Sequence, residues 1–233
     1  LSIMQINQFL EMKNNIITEK NWFIENGMQY TFVDNTNDNA STGRLPLIPD
    51  YRSNQGSAFS IFKRNKGLWA YEFGARVDYK ALEVLTITDT IPREIVRHQH
   101  EFLNYNLSSG LAYSIAEHLK IKLDLGYVQR QPEVNELYSS GLHQGLASIE
   151  YGNPNLNAEN SFKTLIEIEG DLFKHGVFQV VGYYQSIQDY IFLKPTGMYE
   201  VNISGSFPVF VYDQTNATIF GSDITLAYLF AQH

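Results

Sequence analysis

The 233-residue chain has no cysteine, which excludes disulfide frameworks, thiolate metal sites and cysteine nucleophiles together. It also lacks basic excess: the formal net charge is −8 at pH 7, and no cluster of Lys and Arg gathers along it. Phosphate-backbone binding needs such a cluster, so nucleic acid is not an expected partner. No apolar run approaches the roughly 18 residues of a spanning helix, and the N-terminal LSIMQINQF has neither the basic start nor the continuous apolar core of a signal peptide. P-loop and dinucleotide motifs are missing, and Ser139-Ser140-Gly141 lacks the surroundings of a nucleophile elbow. Glu133 and Glu136 show no cleft that would separate an acid from a base. These absences point away from an enzyme and suggest no cofactor and no resident metal.

What is present suits strands. Charged residues are sparse, at 18%, and aromatic residues abundant, at 14%. In LKIKLDLGY, residues Leu119, Ile121, Leu123, Leu125 and Tyr127 share one face, and Lys120, Lys122, Asp124 and Gly126 the other. WAYEFGARVDY repeats the pattern, with Trp69 to Tyr79 greasy on odd positions and Glu72, Arg76 and Asp78 on even ones. NYNLSSGLAYSI, from Asn104 to Ile115, follows the same rule. Less regular strands read at Ser2 to Lys13, Trp22 to Asp34, Gln55 to Lys63, Ser161 to Phe173, Val177 to Phe192 and Phe207 to Phe230. The total is about nine, several exceeding the 9–11 residues or so with which a tilted strand crosses a bilayer. Alternation permits two architectures, a soluble antiparallel sheet with one covered face or a membrane β-barrel.

The connections alternate in length. Tight ones read at Asn14 to Lys20, Asn65-Lys66-Gly67, Glu117-His118 and Lys174-His175-Gly176. Long ones, rich in Asn, Asp, Gly, Pro and Ser, read at Asn35 to Asn54, Leu82 to Gln99, Gln131 to Asn160 and Lys194 to Ser206. In an up-and-down sheet every second connection emerges on the same side, which gives one rim of turns and one of loops, the asymmetry of outer-membrane barrels. The stretch from Gln131 to Asn160 reads as an irregular loop, and irregular loops of that length are usually functional.

That stretch carries a resemblance. RQPEVNELYSSGLHQG followed by IEYGNPNLNAENS resembles a passage in the barrel of TonB-dependent outer-membrane receptors, where an R-x-P, E-L-Y, G-x-H and G-N-P-x-L-x-x-E series follows a long strand. Arg130, Pro132, Glu136, Leu137, Tyr138, Gly141, His143, Gly152, Asn153, Pro154, Leu156 and Glu159 occupy those places. EFGARVDY at Glu72 to Tyr79 agrees, as does ATIFGSDITLAYLF at Ala217 to Phe230, with Asp223 where the family has glutamate. The resemblance implies an all-β fold, an antiparallel up-and-down transmembrane β-barrel of which residues 1–233 form part. It also implies that the plug domain and the C-terminal strands of such a receptor lie outside this sequence, because about nine strands cannot close a barrel of about 22. The implied function is active uptake of a scarce nutrient, an iron-siderophore or related metal chelate, across the outer membrane of a Gram-negative bacterium. Its partners would be outer-membrane lipid, the TonB complex acting through the plug, and the ligand. A soluble binding module and a passive porin are the alternatives.

Four residues are the substrate-binding candidates on the loop rim: His98, His100, Tyr138 and His143. His98 and His100 share one side of a strand and have the spacing to grip a metal chelate, though two histidines without a third ligand better suit a solvated loop terminus. His143 lies within the family passage, where packing of the loop is the competing role. Arg130, Pro132, Glu136, Leu137, Tyr138, Gly141, Gly152, Asn153, Pro154 and Glu159 read as structural members of the motif, with Asn153-Pro154-Asn155 as turn chemistry. The even-numbered charges of the strands, with Glu167 and Glu169, read as a hydrated inner wall. Tyr71, Tyr79, Tyr113 and Tyr127 are candidates for an aromatic girdle at the membrane interface.

Overall fold

The computed structural model describes residues 2–38, 46–88, 91–116, 118–172, 175–228 and 230. In chain order the elements are β1 (Ser2–Ile17), β2 (Trp22–Asp38), β3 (Asp50–Lys66), β4 (Trp69–Ile87), β5 (Ile95–Ala116), β6 (Leu119–Arg130), α1 (Val134–Tyr138), β7 (Ser140–His143), β8 (Ser148–Tyr151), β9 (Glu159–Leu172), β10 (Gly176–Asn202) and β11 (Gly205–Tyr228). They form one sheet in the order β1-β2-β3-β4-β5-β6-β9-β10-β11-β8-β7. Every neighbouring pair is antiparallel except β8, which runs parallel to β11. The nine long strands are those that alternation marks out. The two extra ones, with α1, lie inside the stretch expected to be irregular, so that expectation is corrected: Gln131 to Asn160 is a folded insert.

Strand also extends into the three other expected loops. β4 and β5 stay paired out to Ile87 and Ile95, β2 and β3 out to Asn35 and Tyr51, and β10 and β11 out to Asn202 and Gly205. Backbone ladders do not require alternation of side chains, so the strands outlast the pattern that reveals them. The tight turns hold where they are described: Gly67 takes a φ of 60°, the left-handed region open to glycine, and Thr18 to Asn21 closes with hydrogen bonds to and from Thr18. Glu117, Lys174, Gln232 and His233 lie outside the described residues.

Strand register assigns every wall residue to a face. On the polar face, Lys122 bridges Glu167 at 2.9 Å and Glu169 at 3.2 Å, and Lys63 reaches Glu72 at 3.2 Å. Asp78 there collects Arg76 at 2.7 Å, Ser57 Oγ at 2.6 Å and Asn106 Nδ2 at 3.1 Å. The opposite face carries large apolar side chains that no second protein layer covers among the described residues, including Leu10, Met28, Leu107, Ile166 and Phe220, the last 77% exposed. Leaving such a continuous surface to water is unfavourable at about 25 cal/mol per Å2, so it calls for a hydrocarbon cover.

Aromatic residues bound that apolar band at both ends. Trp22 and Tyr30 on β2, Tyr71 and Tyr79 on β4, and Tyr113 and Tyr105 on β5 are each eight residues apart on the same face. Eight residues rise about 27 Å along a strand, or about 20 Å of height at a barrel tilt near 40°, close to the roughly 25 Å apolar band of outer-membrane barrels once the rings are included. At the turn rim Trp69 joins the lower row, its ring centre 4.3 Å from that of Tyr113. Tyr127 and Phe162, side by side on β6 and β9, extend the upper row.

Candidate functional site

Above the upper aromatic row the faces exchange character. Outward positions turn charged, with Arg97 and Glu83 at 3.5 Å and Arg52 and Asp34 at 2.8 Å. Inward positions turn apolar: Leu82 is 2% exposed and Val84 is wholly buried. What buries them is the insert between β6 and β9, folded back onto the inner face.

Local chemistry fixes that insert. Fully buried Pro132 leads into a capping box in which the Glu133 side chain accepts from a helical N–H and Glu136 Oε2 accepts from Glu133 N at 2.8 Å. The single turn of α1 then places Val134 and Leu137 on one side, three residues apart. They close a small core with Leu82, Val84, Leu156 and Ile191, rimmed by Tyr51, Phe102, Tyr138 and Tyr212. Burying Val134 and Leu137 contributes about 3–6 kcal/mol to docking.

Arg130, at the top of β6, ties both ends of the insert to the wall. Its guanidinium meets Glu136 at 2.9 and 3.1 Å and Glu159 at 2.6 Å, and the other Glu159 oxygen accepts from Ile191 N at 2.6 Å. Burial alone would raise the Glu159 carboxyl, but these hydrogen bonds hold it below the usual carboxylate range. The bond to Glu159, with those to Glu136, pushes Arg130 further above its already high value. Gly152 and Asn153 pack across the end of α1: Gly152 N donates to Ser139 O and Asn153 N to Glu136 O, both at 2.8 Å. A Cβ on Gly152 would lie 2.4 Å from Leu137 C and Tyr138 N, so only glycine permits this approach. Asn153 Oδ1 accepts from Asn155 N at 3.0 Å, and Pro154 follows within that turn. Gly141, with φ of 123°, opens β7 in a conformation that other residues rarely adopt.

The structure brings three of the four ligand-site candidates together. His98, His100 and Phe102 project from β5 toward the insert, where His100 Nε2 lies 2.5 Å from the Tyr138 hydroxyl and the His98 ring centre 4.7 Å from that of Tyr138. His98 Nε2 lies 2.8 Å from Thr86 Oγ1, and His100 stacks on Phe102. Burial, with His98 nearby, pushes the His100 pKa down, and burial pushes that of Tyr138 up, so a neutral imidazole faces a neutral phenol at pH 7. His143 is not part of this group: it pairs with buried Glu150 at 2.8 Å, and Glu150 also accepts from Ser148 Oγ at 3.1 Å. Among the described residues no cluster of three or more His, Cys, Asp or Glu has the arrangement of a metal site.

Sequence reasoning missed Lys80, Asn104 and Gln131, which lie where the insert meets the wall. Lys80, buried on the inner face, reaches Glu133 at 3.3 Å, and Asn104 Nδ2 donates to Gln131 Oε1. The signal for Lys80 was available: continuing the even-numbered series of β4 past Tyr79 puts Lys80, Leu82, Val84 and Thr86 on the charged side of the wall.

A family model described as TonB dependent receptor-like, beta-barrel, matches residues 5–231. Among solved structures, the copper transporter OprC superposes with a TM-score of 0.74 at 13% identity, over 98% of this chain and 36% of that one. A hemophore receptor HasR of Serratia marcescens, solved with its hemophore HasA and heme, gives 0.73 at 16% identity, over 97% and 39%. The ferric-catecholate import receptor Fiu from E. coli K12 gives 0.58 at 11% identity, over 97% and 35%. The chain therefore spans between about a third and two fifths of the length of these proteins. At such identities the likeness speaks for the fold.

Proposed function

Because the chain belongs to the TonB-dependent receptor-like β-barrel family, whose members are transporters and receptors of the Gram-negative outer membrane, we propose that it forms wall and extracellular loops of an active nutrient importer. The substrate class proposed is an iron-siderophore or related metal chelate. Energy would arrive from the TonB complex through a plug region outside this sequence. The apolar band would contact outer-membrane lipid, the charged inner face would contact the plug, and the folded-in insert would meet the ligand through His98, His100 and Tyr138.

One observation carries this reading. The insert builds its core on the inner face above the upper aromatic row, so the side chains it gathers stand at the mouth rather than in the lipid band. Neutral imidazole and phenol groups at a mouth offer hydrogen bonds and ring contacts to the organic shell of a chelate without demanding its metal. His143, paired with Glu150, would serve the packing of the insert.

The test is growth of a strain lacking the intact parent receptor, complemented or not, on single iron chelates as the sole iron source. Complementation on one chelate, lost with a His98→Ala/His100→Ala double variant that still reaches the outer membrane, is expected. Equal growth of both strains on every chelate overturns the substrate proposal. A complete gene without any plug-type domain would instead favour a passive pore.

A further inference from the structure

Beside Tyr138, and sharing Leu137 with the small core, lies a cavity of about 340 Å3 where the segment before β3, the top of the β4–β5 hairpin and the end of α1 meet. Its size falls at the small end of ligand pockets, room for one or two rings. Pro46, Pro49 and Pro154 give it rigid apolar walls, Leu85 and Ile87 close the hairpin side, and exposed Ile95 stands at its rim.

Two polar groups in the lining have unused capacity. Ser139 is 3% exposed, yet its Oγ has no hydrogen-bond partner, which is costly for a buried hydroxyl unless something fills the site. Asp50 is held in place because one of its oxygens accepts from Asn37 N at 2.8 Å and Asn37 Nδ2 at 2.7 Å. No cation pairs with Asp50 among the described residues. In the adjoining hollow Arg52 is engaged by Asp34 and Arg97 by Glu83. No Lys, Arg or His lines the cavity, so its only formal charge is negative. A metal chelate, usually anionic or bulky, is poorly matched to it. The match is a small cation with an apolar body, because Asp50 supplies a fixed counter-charge and the Tyr138 ring a face for cation or ring contact.

We propose that this cavity is a second ligand site, selective for a small ring-bearing primary amine, with the ammonium on Asp50 and a further polar group on Ser139 Oγ. The site adjoins the histidine group, sharing Thr86 and Tyr138 with it, but does not depend on the transport reading.

The experiment is calorimetry or ligand-observed NMR on the intact receptor in detergent, with three probes of one shape: tyramine, 4-ethylphenol and 3-(4-hydroxyphenyl)propionate. Tyramine is expected to bind at least about tenfold more tightly than the other two, the worth of one charge-assisted hydrogen bond. Asp50→Asn should remove that preference. Ser139→Ala should weaken tyramine while leaving phenethylamine, which lacks the phenol oxygen, unchanged. Because Asp50 also orders Asn37, Ile95→Trp is the second variant: Ile95 is 73% exposed, so the substitution fills the cavity from its open side and should abolish tyramine binding with assembly intact. Equal binding of the amine and the propionate, no binding of tyramine, or binding that survives Ile95→Trp would overturn the proposal.

Discussion

Gly152→Ala isolates the docking of the insert from the stability of the wall. The added Cβ would sit 2.4 Å from Leu137 C and Tyr138 N and 2.6 Å from Leu137 O, about 1 Å inside ordinary contact with backbone that cannot rotate aside. The segment after β8 and the end of α1 must therefore separate. Separation forfeits the bonds from Gly152 N and Asn153 N, both 2.8 Å, at about 0.5–1.5 kcal/mol each. Overpacking of a filled site adds about 1–3 kcal/mol. Non-additivity tempers the sum, leaving about 2–4 kcal/mol lost from docking. The wall keeps its own ladders, so the loss is local. Hydrogen exchange of the intact receptor in detergent reads it directly: where reclosing outpaces chemical exchange, amides in 133–139 and 149–156 should exchange about 30- to 1000-fold faster, while those in 119–127 and 163–170 stay protected. Exchange of the insert within threefold of wild type would refute the close approach and the latch built on it.

Other substitutions test the same architecture. Arg130→Met leaves Glu136 and Glu159, both mostly buried, without their cation and should loosen the insert by about 1–3 kcal/mol, the lower end reflecting the partial exposure of the arginine; the same exchange assay checks it. Glu159 has a folded pKa below its unfolded value, so its contribution is full above the unfolded carboxylate range and disappears as pH falls through the folded value. Exchange of the insert, corrected for intrinsic rates, should thus accelerate only below about pH 4.5, and the acid sensitivity should vanish in Glu159→Gln. Ala75→Arg, midway between Tyr71 and Tyr79 in the apolar band, should cost about 2–4 kcal/mol of membrane insertion, read as loss of the heat-modifiable folded species on gels. Val84→Asp, above the upper aromatic row, should leave that species intact and release the insert instead; spin labels at Ile121 and Leu123 reporting water rather than acyl chains would overturn the lipid assignment itself.

Val77 and Val84 explain what the sequence could disclose and what it hid. Through Tyr79 on β4, and from Leu103 onward on β5, oily side chains stand on one face and charges on the other, so a period of two is visible and nine wall strands follow from it. Above those residues Glu83, Arg97, Gln99 and Glu101 face outward while Leu82, Val84 and Phe102 face inward. The alternation does not stop there; it reverses, and a reversal reads as loss of pattern to any rule that expects one greasy side throughout. The loop assignments at Leu82 to Gln99 failed for that reason. The family passage in the insert was recognisable as a string of residues, but its geometry was not: Arg130, Glu136 and Glu159 are up to 29 positions apart, and nothing local in the sequence states that Gly152 must touch the end of a five-residue helix. The reversal itself, once seen, carries information about both solvents. A strand that is apolar outward and then apolar inward exchanges one apolar cover for another, so on the proposed reading the exchange at Tyr79 is the membrane boundary, with a protein partner on the inner face just above it. The insert supplies that partner, so on β4 and β5 the outward-apolar stretch runs straight on into the residues that meet the insert.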